Sequence, residues 1–568
     1  MTDRQTDRQT DRQTDRQTGY PSIDKPWLKY YPKKSQEYVC ESSMYNIIRK
    51  RNVNRMNCIS MVYYGNKITY GDFFRNVELI SKCLVAHGVS EGDIVSIISL
   101  NTPETTYLLY AISNIGAVAN MLIATCSTKE IEESIKNTNS KLIFVLDKIL
   151  EKSELYLVSI PIVVLPMGLS AKGMAGMQTH TFLRNFHEYI SYKQFIMKSK
   201  DYVATNKPDL PVIIEYTSGT TGIPKGVVLN NRNINSVAYM CFSSGKEYKE
   251  GEKFLNVLPP FFSFGIGMMH SIFYAGMTEV IELVPKTKHI VRMLKKHRPE
   301  RITFGPVLYD VIEKNSQKDM SYLVDLCAGG GAIHPDKEKK INEILEKKKA
   351  KSVYLAGYGM TELSSAVSTN CNDYFKLQSI GIPLPMVNMK IVSVETGKEL
   401  SYDEEGELLV FSPGLMQGYY KNEAATREVI EIIDGERWIH TGDLAKIDTD
   451  GFVYITGRIK RIYITTDEAG TAYKLFPQRL EETIEEYEGV NKCAVVVIPD
   501  DKRQNVAVAF VDAKEIIEID ALEKYIQNEL PSYYYPVKIV NVDKMPINSN
   551  QKIDYRTLEK KAYSLLEI

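Results

Sequence analysis

Between Tyr216 and Leu229 the chain reads YTSGTTGIPKGVVL. Gly219 and Gly222 let the backbone turn tightly and aim its N–H groups at one anion, because no Cβ stands in the way. The hydroxyls of Thr217, Ser218, Thr220 and Thr221 add donors, and Lys225 adds a point charge. A plain turn between a strand and the next element seldom gathers these hydroxyls at such glycine–lysine spacing. The segment therefore reads as a phosphate-binding loop. It is not a Walker loop, G-x-x-x-x-G-K-[ST], because Pro224 stands five positions after Gly219 and Gly226 follows Lys225. Nor does it match the G-x-G-x-x-G of dinucleotide folds.

Other residues carry chemistry only by company. In GYGMTE, Tyr358 offers a flat face for a purine and Thr361 a donor for a phosphate oxygen. Glu362 is a hard oxygen ligand of the kind that suits magnesium. Taken alone, the hexapeptide is as well explained by a turn with a capping Thr and a solvated Glu. Asp443 in HTGDL has two oxygens for two ribose hydroxyls, yet alone it reads as a turn carboxylate. Arg458 reads alone as a surface arginine and Lys552 as a solvated lysine.

Together these segments resemble the adenylate-forming superfamily: acyl-CoA synthetases, aryl-CoA ligases, stand-alone adenylation domains and firefly luciferase. The motifs occur in the family's order: KITYGDF, YTSGTTGIPKGVVL, AGYGMTE, GELLVFSPGLMQGYY, WIHTGDLAKIDTDGFVYITGRIK and MPINSNQKIDYRTL. The resemblance implies adenine beside Tyr358 and Gly359, ribose on Asp443, and Arg458 on the ribose and phosphate side. It implies magnesium at Glu362 and makes Thr361, Glu362 and Lys552 the catalytic set. Lys460 becomes the hinge of a rotating small domain. The acyl pocket is implied at Phe261, Phe262, Phe264, Gly330, Gly331 and Ala332. Phe262 falls where amino-acid-activating relatives place an Asp and many acyl-CoA ligases a His, so an α-amino acid is not the expected substrate. The implied reaction consumes ATP with magnesium and a small-molecule carboxylic acid, with coenzyme A or a carrier-protein phosphopantetheine as thiol acceptor. A non-catalytic nucleotide-binding scaffold is the reading from another class, and the joint presence of Glu362, Asp443, Arg458 and Lys552 argues against it. Two departures from the family stand out. Gln551 precedes Lys552 where the family has Gly, and the loop Thr465–Phe476 is longer and partly acidic.

Positioning these residues takes many elements. From Pro26 to Glu215, amphipathic helices alternate with Val/Ile-rich runs, as in GDFFRNVELISKCLVAHGV followed by DIVSIISL. Such alternation implies βα units and parallel sheet. It recurs in TEVIELV, IVRMLKKHRPERITFGP and INEILEKKKAKSVYLAGYGM. Near Lys390–Tyr420 short strands and turns suggest a small antiparallel, barrel-like element. Beyond Lys460 the order helix, strand, strand, helix suggests a further domain. The expected class is α/β, with a large N-terminal domain over 20–459 and a small mobile C-terminal α+β domain over 460–568. Residues 1–19, built on TDRQ repeats with nothing apolar, are expected to be disordered.

The chain has 568 residues, 44% hydrophobic and 25% charged, with a net charge of −1. That balance gives no field for nucleic acid and shows no strong basic stripe. The cysteines Cys40, Cys58, Cys83, Cys126, Cys241, Cys327, Cys371 and Cys493 are scattered, as expected of reduced thiols in a cytoplasmic protein. The uncharged run Thr105–Thr128 is long enough to span a bilayer, but Ser113, Asn114, Gly116 and Asn120 favour a buried helix–strand unit.

Overall fold

The computed structural model describes residues 19–38, 40–124, 128–151, 159–172, 189–217, 225–283, 286–305, 308–330, 333, 335–461, 463–466, 472–500, 503–513, 515–548 and 552–566. The TDRQ repeats up to residue 18 lie outside the described residues.

The large domain is built on two sheets. In the first, a nine-stranded sheet, the strands Asp325–Ala328, Arg301–Phe304, Lys253–Asn256 and Thr278–Ile281 run parallel as adjacent neighbours. Tyr354–Met360 extends it in parallel and then turns antiparallel into Ser365–Thr369. The second, an eight-stranded sheet, centres on Val118–Met121, Ile94–Ile98 and Leu142–Leu146, and continues through the hairpin Pro211–Thr217 with Lys225–Asn230 to the short edge strand Gly418–Tyr419. Both sheets are covered on both faces, so their strands are near-continuous apolar runs such as Leu142–Leu146.

Local sequence explains the entry points. In KITYGDF, Thr69 and Asp72 form a reciprocal capping box that starts the helix Tyr70–Ala86. Tyr70 is buried, and its hydroxyl donates to the Met277 carbonyl at 2.8 Å, tying that helix to the first sheet. The uncharged run resolves into the helix Pro103–Ile115, stopped at Gly116 with φ 76°, and the strand Val118–Met121. Its amide N–H groups find partners inside the protein: Asn114 donates to Ser81 at 3.0 Å and Asn120 to Ser96 at 2.8 Å. Among the described residues no helix is long and apolar enough to cross a membrane.

A five-stranded antiparallel sheet, including Asn388–Val392, Gly406–Phe411, Glu436–Ile447 and Val453–Arg458, occupies the place of the expected barrel-like element. The small domain is a three-stranded sheet, Val490–Asp500, Gln504–Ala513 and Lys538–Val542, with helices Pro477–Glu485, Ile519–Glu529 and Tyr555–Leu566. Its strands alternate strictly: Val495 and Val497 enter one apolar cluster, Val496 and Ile498 the other. The seven cysteines described are all free, and Cys126 lies outside the described residues.

The loop expected over Thr465–Phe476 is in fact a hairpin, Tyr463–Thr466 against Ala472–Leu475. Its β-branched and aromatic residues, YITT and AYKL, favour extended backbone on either side of Gly470. The Thr465 hydroxyl donates to the Asn505 carbonyl at 2.8 Å and fixes the hairpin to the small-domain sheet.

Candidate active site

Thr217 ends one strand, Lys225 begins the next, and the two residues pair directly in antiparallel register. The glycine-rich segment is therefore the connection of a hairpin, not the strand-to-helix turn of a Walker loop. Ser218, Gly219, Thr220, Thr221 and Gly222 lie outside the described residues.

Lys225 aims its ammonium at the Tyr419 ring, 4.9 Å from its centroid. Tyr419 lies on a short strand, Gly418–Tyr419, that pairs with Val227 and Val228 of the same hairpin. Its hydroxyl donates to Glu362 Oε1 at 2.8 Å. Glu362 is only 7% exposed. Burial raises its pKa above the usual carboxylate value, and the Tyr419 hydroxyl and the charges of Arg458 and Lys225 oppose that rise. Thr361 opens the single helical turn Thr361–Leu363 that presents Glu362, and Ser263 Oγ stands 3.5 Å from Thr361 Oγ1. Neither Tyr419 nor Ser263 is identifiable from local sequence, since their partners are distant in the chain.

Asp443 and Arg458 face each other on paired strands, with Arg458 Nε 2.7 Å from Asp443 Oδ1. The other carboxylate oxygen accepts the Tyr358 hydroxyl at 2.5 Å. Tyr358 is followed on the strand Tyr354–Met360 by Gly359, which lies close against the next strand. A Cβ on Gly359 would lie 1.8 Å from the Ser365 carbonyl oxygen, so only glycine fits there.

Lys552 reaches this group from the small domain. Asn548 frames its backbone, accepting the Lys552 N–H at 3.1 Å and donating to the Lys552 carbonyl at 2.7 Å. The residue is solvent-exposed, while protein near its ammonium displaces part of its water. That partial loss of water lowers its pKa, and Arg458 lowers it further; Asp443 and Glu362 act the other way. The fold thus brings Lys225, Tyr358, Thr361, Glu362, Asp443, Arg458 and Lys552 into one group. Gln551 lies outside the described residues.

The aromatic group follows the strand Lys253–Asn256. Phe261 is buried, and Phe262 meets it edge-on with centroids 4.7 Å apart. Phe262 occupies the N-cap of the helix Ser263–Tyr274 without a capping side chain. Phe264 packs on Gly329, where a Cβ would lie 3.2 Å from its Cζ. Gly330 adopts φ +81°, while Gly331 and Ala332 lie outside the described residues. Lys460 sits in the single turn Ile459–Arg461 between the domains.

Residues 48–420 match the family described as AMP-binding enzyme, and residues 479–552 match the AMP-binding enzyme C-terminal domain. The chain is 27% identical over 546 residues to a long-chain-fatty-acid–CoA ligase of Bacillus subtilis, covering 90% of this chain and 93% of the relative. It is likewise 27% identical over 520 residues to 4-coumarate–CoA ligase-like 2 of Arabidopsis thaliana, covering 88% and 87%. In fold it is similar to o-succinylbenzoate CoA synthetase of Bacillus subtilis solved with an acyl-adenylate, at 22% identity and a TM-score of 0.76, over 90% of this chain and 98% of that one. ATP-bound MatB of Rhodopseudomonas palustris gives a TM-score of 0.77 at 21% identity, over 91% and 99%. The chain belongs to the AMP-binding enzyme family.

Proposed function

We propose that the chain is an AMP-forming acid–thiol ligase acting on an apolar acyl or aryl carboxylic acid. The observation that carries this reading is that Lys552, although it comes from the other domain, lies within electrostatic reach of Glu362 and of the Asp443–Arg458 pair. In the first half-reaction the carboxylate oxygen bonds to the α-phosphorus of ATP and the α–β phosphoanhydride breaks, releasing pyrophosphate. Two anions must approach each other, so catalysis is positioning plus charge neutralisation. Lys552 neutralises the approaching carboxylate and α-phosphate; Lys225 and the Thr217 hydroxyl serve the phosphates leaving on the hairpin side. Tyr358 supports the adenine, and Asp443, oriented by Arg458 and Tyr358, takes the ribose hydroxyls.

Among the described residues no three His, Cys, Asp or Glu side chains gather to hold a metal by themselves. A lone buried Glu362 nonetheless fits magnesium, which is commonly held by one or two carboxylates and completed by substrate phosphates. Such an ion would offset phosphate charge. In the second half-reaction a thiol sulfur, from coenzyme A, bonds to the carbonyl carbon, AMP leaves with the electron pair of the mixed anhydride, and the thiol proton passes to solvent.

The acid is assigned as apolar because an ammonium beside Phe261, Phe262 and Phe264 would lose its water without gaining a carboxylate. Pyrophosphate–ATP exchange with panels of fatty, aryl and amino acids, followed by thioester assay with coenzyme A, tests the reading. Exchange with fatty or aryl acids and coenzyme A thioester formation are expected. Exchange with a proteinogenic amino acid alone would overturn the substrate class. Transfer only to a carrier-protein phosphopantetheine would replace the acceptor.

A further inference from the structure

The helix Thr287–His297 carries a feature that the net charge of −1 conceals. From Leu283 to Pro299 the chain has no Asp or Glu, while Lys286, Lys288, Arg292, Lys295, Lys296 and Arg298 are all exposed. Lys288, Arg292, Lys295 and Lys296 follow the i, i+4, i+7, i+8 spacing of one helical face. The sequence reading of no strong basic stripe is corrected here: averaging over the chain hides a stripe that helical geometry collects. Arg292 lies 3.6 Å from the buried Glu282, Arg298 3.4 Å from Asp319, and Lys295 donates to Ser316 at 2.8 Å. Lys286, Lys288 and Lys296 make no such contacts among the described residues.

The opposite face, Ile290, Val291, Met293 and Leu294, is buried in the core of the large domain. It is committed and cannot enter a bilayer, so whatever this helix binds must be held by surface charge. The ring packed against the stripe, Tyr322, is partly buried in the core and covered by the Arg298 guanidinium at 4.6 Å, so it is not free to stack on a base, which disfavours single-stranded nucleic acid. Its position adds a direction. The strands Lys253–Asn256, Thr278–Ile281, Arg301–Phe304 and Asp325–Ala328 are parallel, so their C-terminal ends share one edge. The segments after them at that edge are Phe261–Phe264, Lys286–Lys288 at the start of the helix, Gly305, and Gly329–Gly330. The basic stripe thus begins beside the segments assigned to the acyl pocket.

We infer that this stripe docks the enzyme on an anionic membrane surface, from which an apolar acid partitions into the site. The choice of an apolar acid rests on the function proposed above; the docking itself does not. Each lysine near an anionic leaflet strengthens binding about fivefold, and attachment without insertion is reversible and salt-labile.

The test is co-flotation of the full chain with vesicles of phosphatidylcholine alone or with phosphatidylglycerol added. Binding to the anionic vesicles only, lost on raising salt to about 0.5 M, is expected. The combined change Lys286→Glu, Lys288→Glu and Lys296→Glu should weaken it by more than about a hundredfold and leave turnover of a short, water-soluble acid unchanged. The milder Lys→Gln triple, expected to bind between the two, serves if the first misfolds. Equal binding to neutral vesicles, no binding to either, or undiminished binding of the folded variant would overturn the inference. So would an RNA or an acidic protein that binds this stripe when anionic vesicles do not. Because flotation needs no turnover, it fails or succeeds independently of the ligase reading.

Discussion

Arg458 and Arg461, separated only by Ile459 and Lys460, are bonded into different domains. Arg458 holds Asp443 of the large domain at 2.7 Å. Arg461 holds Glu481 of the small domain at 2.8 and 3.0 Å and reaches the Tyr555 hydroxyl at 3.2 Å. Any reorientation of the domains must therefore turn on the short link between the two anchors. Lys460→Pro restricts φ to a value a single helical turn already tolerates. Pyrophosphate exchange should survive, whereas thioester formation from synthetic acyl-adenylate should slow at least about tenfold, a barrier of about 1.4 kcal/mol. Equal rates of both half-reactions in the variant and the parent would remove the hinge from this link.

Tyr419→Phe should act through Glu362. The hydroxyl donates to the charged carboxylate and holds down a pKa that burial raises. Removing it favours the neutral acid, so the acid limb of the exchange reaction should move to higher pH, by about one unit for a charged hydrogen bond of this kind. The variant-to-parent ratio should fall as pH falls from about 8 towards about 6. A limb that stays in place or moves lower would show that Glu362 is not the group being titrated.

His270 is fully buried, with Nδ1 2.9 Å from the Tyr110 hydroxyl and Nε2 2.8 Å from Asn235 Oδ1. Asn235 donates its amide to the Ser42 carbonyl, so its oxygen accepts from Nε2–H and Nδ1 accepts from Tyr110. Burial pushes the imidazole down to about 3. The unfolded chain therefore binds the extra proton first. Stability from this group is full above the ordinary histidine pKa and is lost as pH falls from there towards about 3. Denaturant unfolding at pH near 7 and near 5 should show the parent losing about 2 kcal/mol more than His270→Gln does. An identical loss in both would rule out this proton.

Shortening the hairpin tip, residues 467–471, should change thioester formation and leave pyrophosphate exchange largely intact. The hairpin base is secured by Thr465 on the Asn505 carbonyl, so the small-domain fold does not depend on the tip. Asp467, Glu468, Gly470 and Thr471 lie outside the described residues. Complete loss of exchange would place the hairpin in adenylation instead.

Much of this architecture is legible in the sequence because it depends on local signals. Alternating apolar runs give the parallel strands, Thr69 and Asp72 give a helix start, and Gly116 gives a helix stop. Motif order selects Glu362, Asp443, Arg458 and Lys552, whose partners identify them only as a set. What stays hidden is held by contacts between distant segments. Tyr419 reaches Glu362, and Ser263 approaches Thr361, through strand pairing and helix placement that no short motif records. The hairpin at Tyr463 hides for another reason: acidic and glycine residues at its centre read as loop, while the register of its arms emerges only on pairing. The basic helix hides behind a neutral total.

The central claim is that Lys552 serves adenylate formation alone, from one orientation of the small domain. Measuring both half-reactions of Lys552→Ala tests it most directly: acid-dependent pyrophosphate–ATP exchange, and thioester formation from synthetic acyl-adenylate and coenzyme A. With the ammonium gone, carboxylate and α-phosphate meet unneutralised, and exchange should fall at least about a hundredfold. Thioester formation should remain near the parent rate. Equal slowing of both half-reactions in a folded variant would contradict the account.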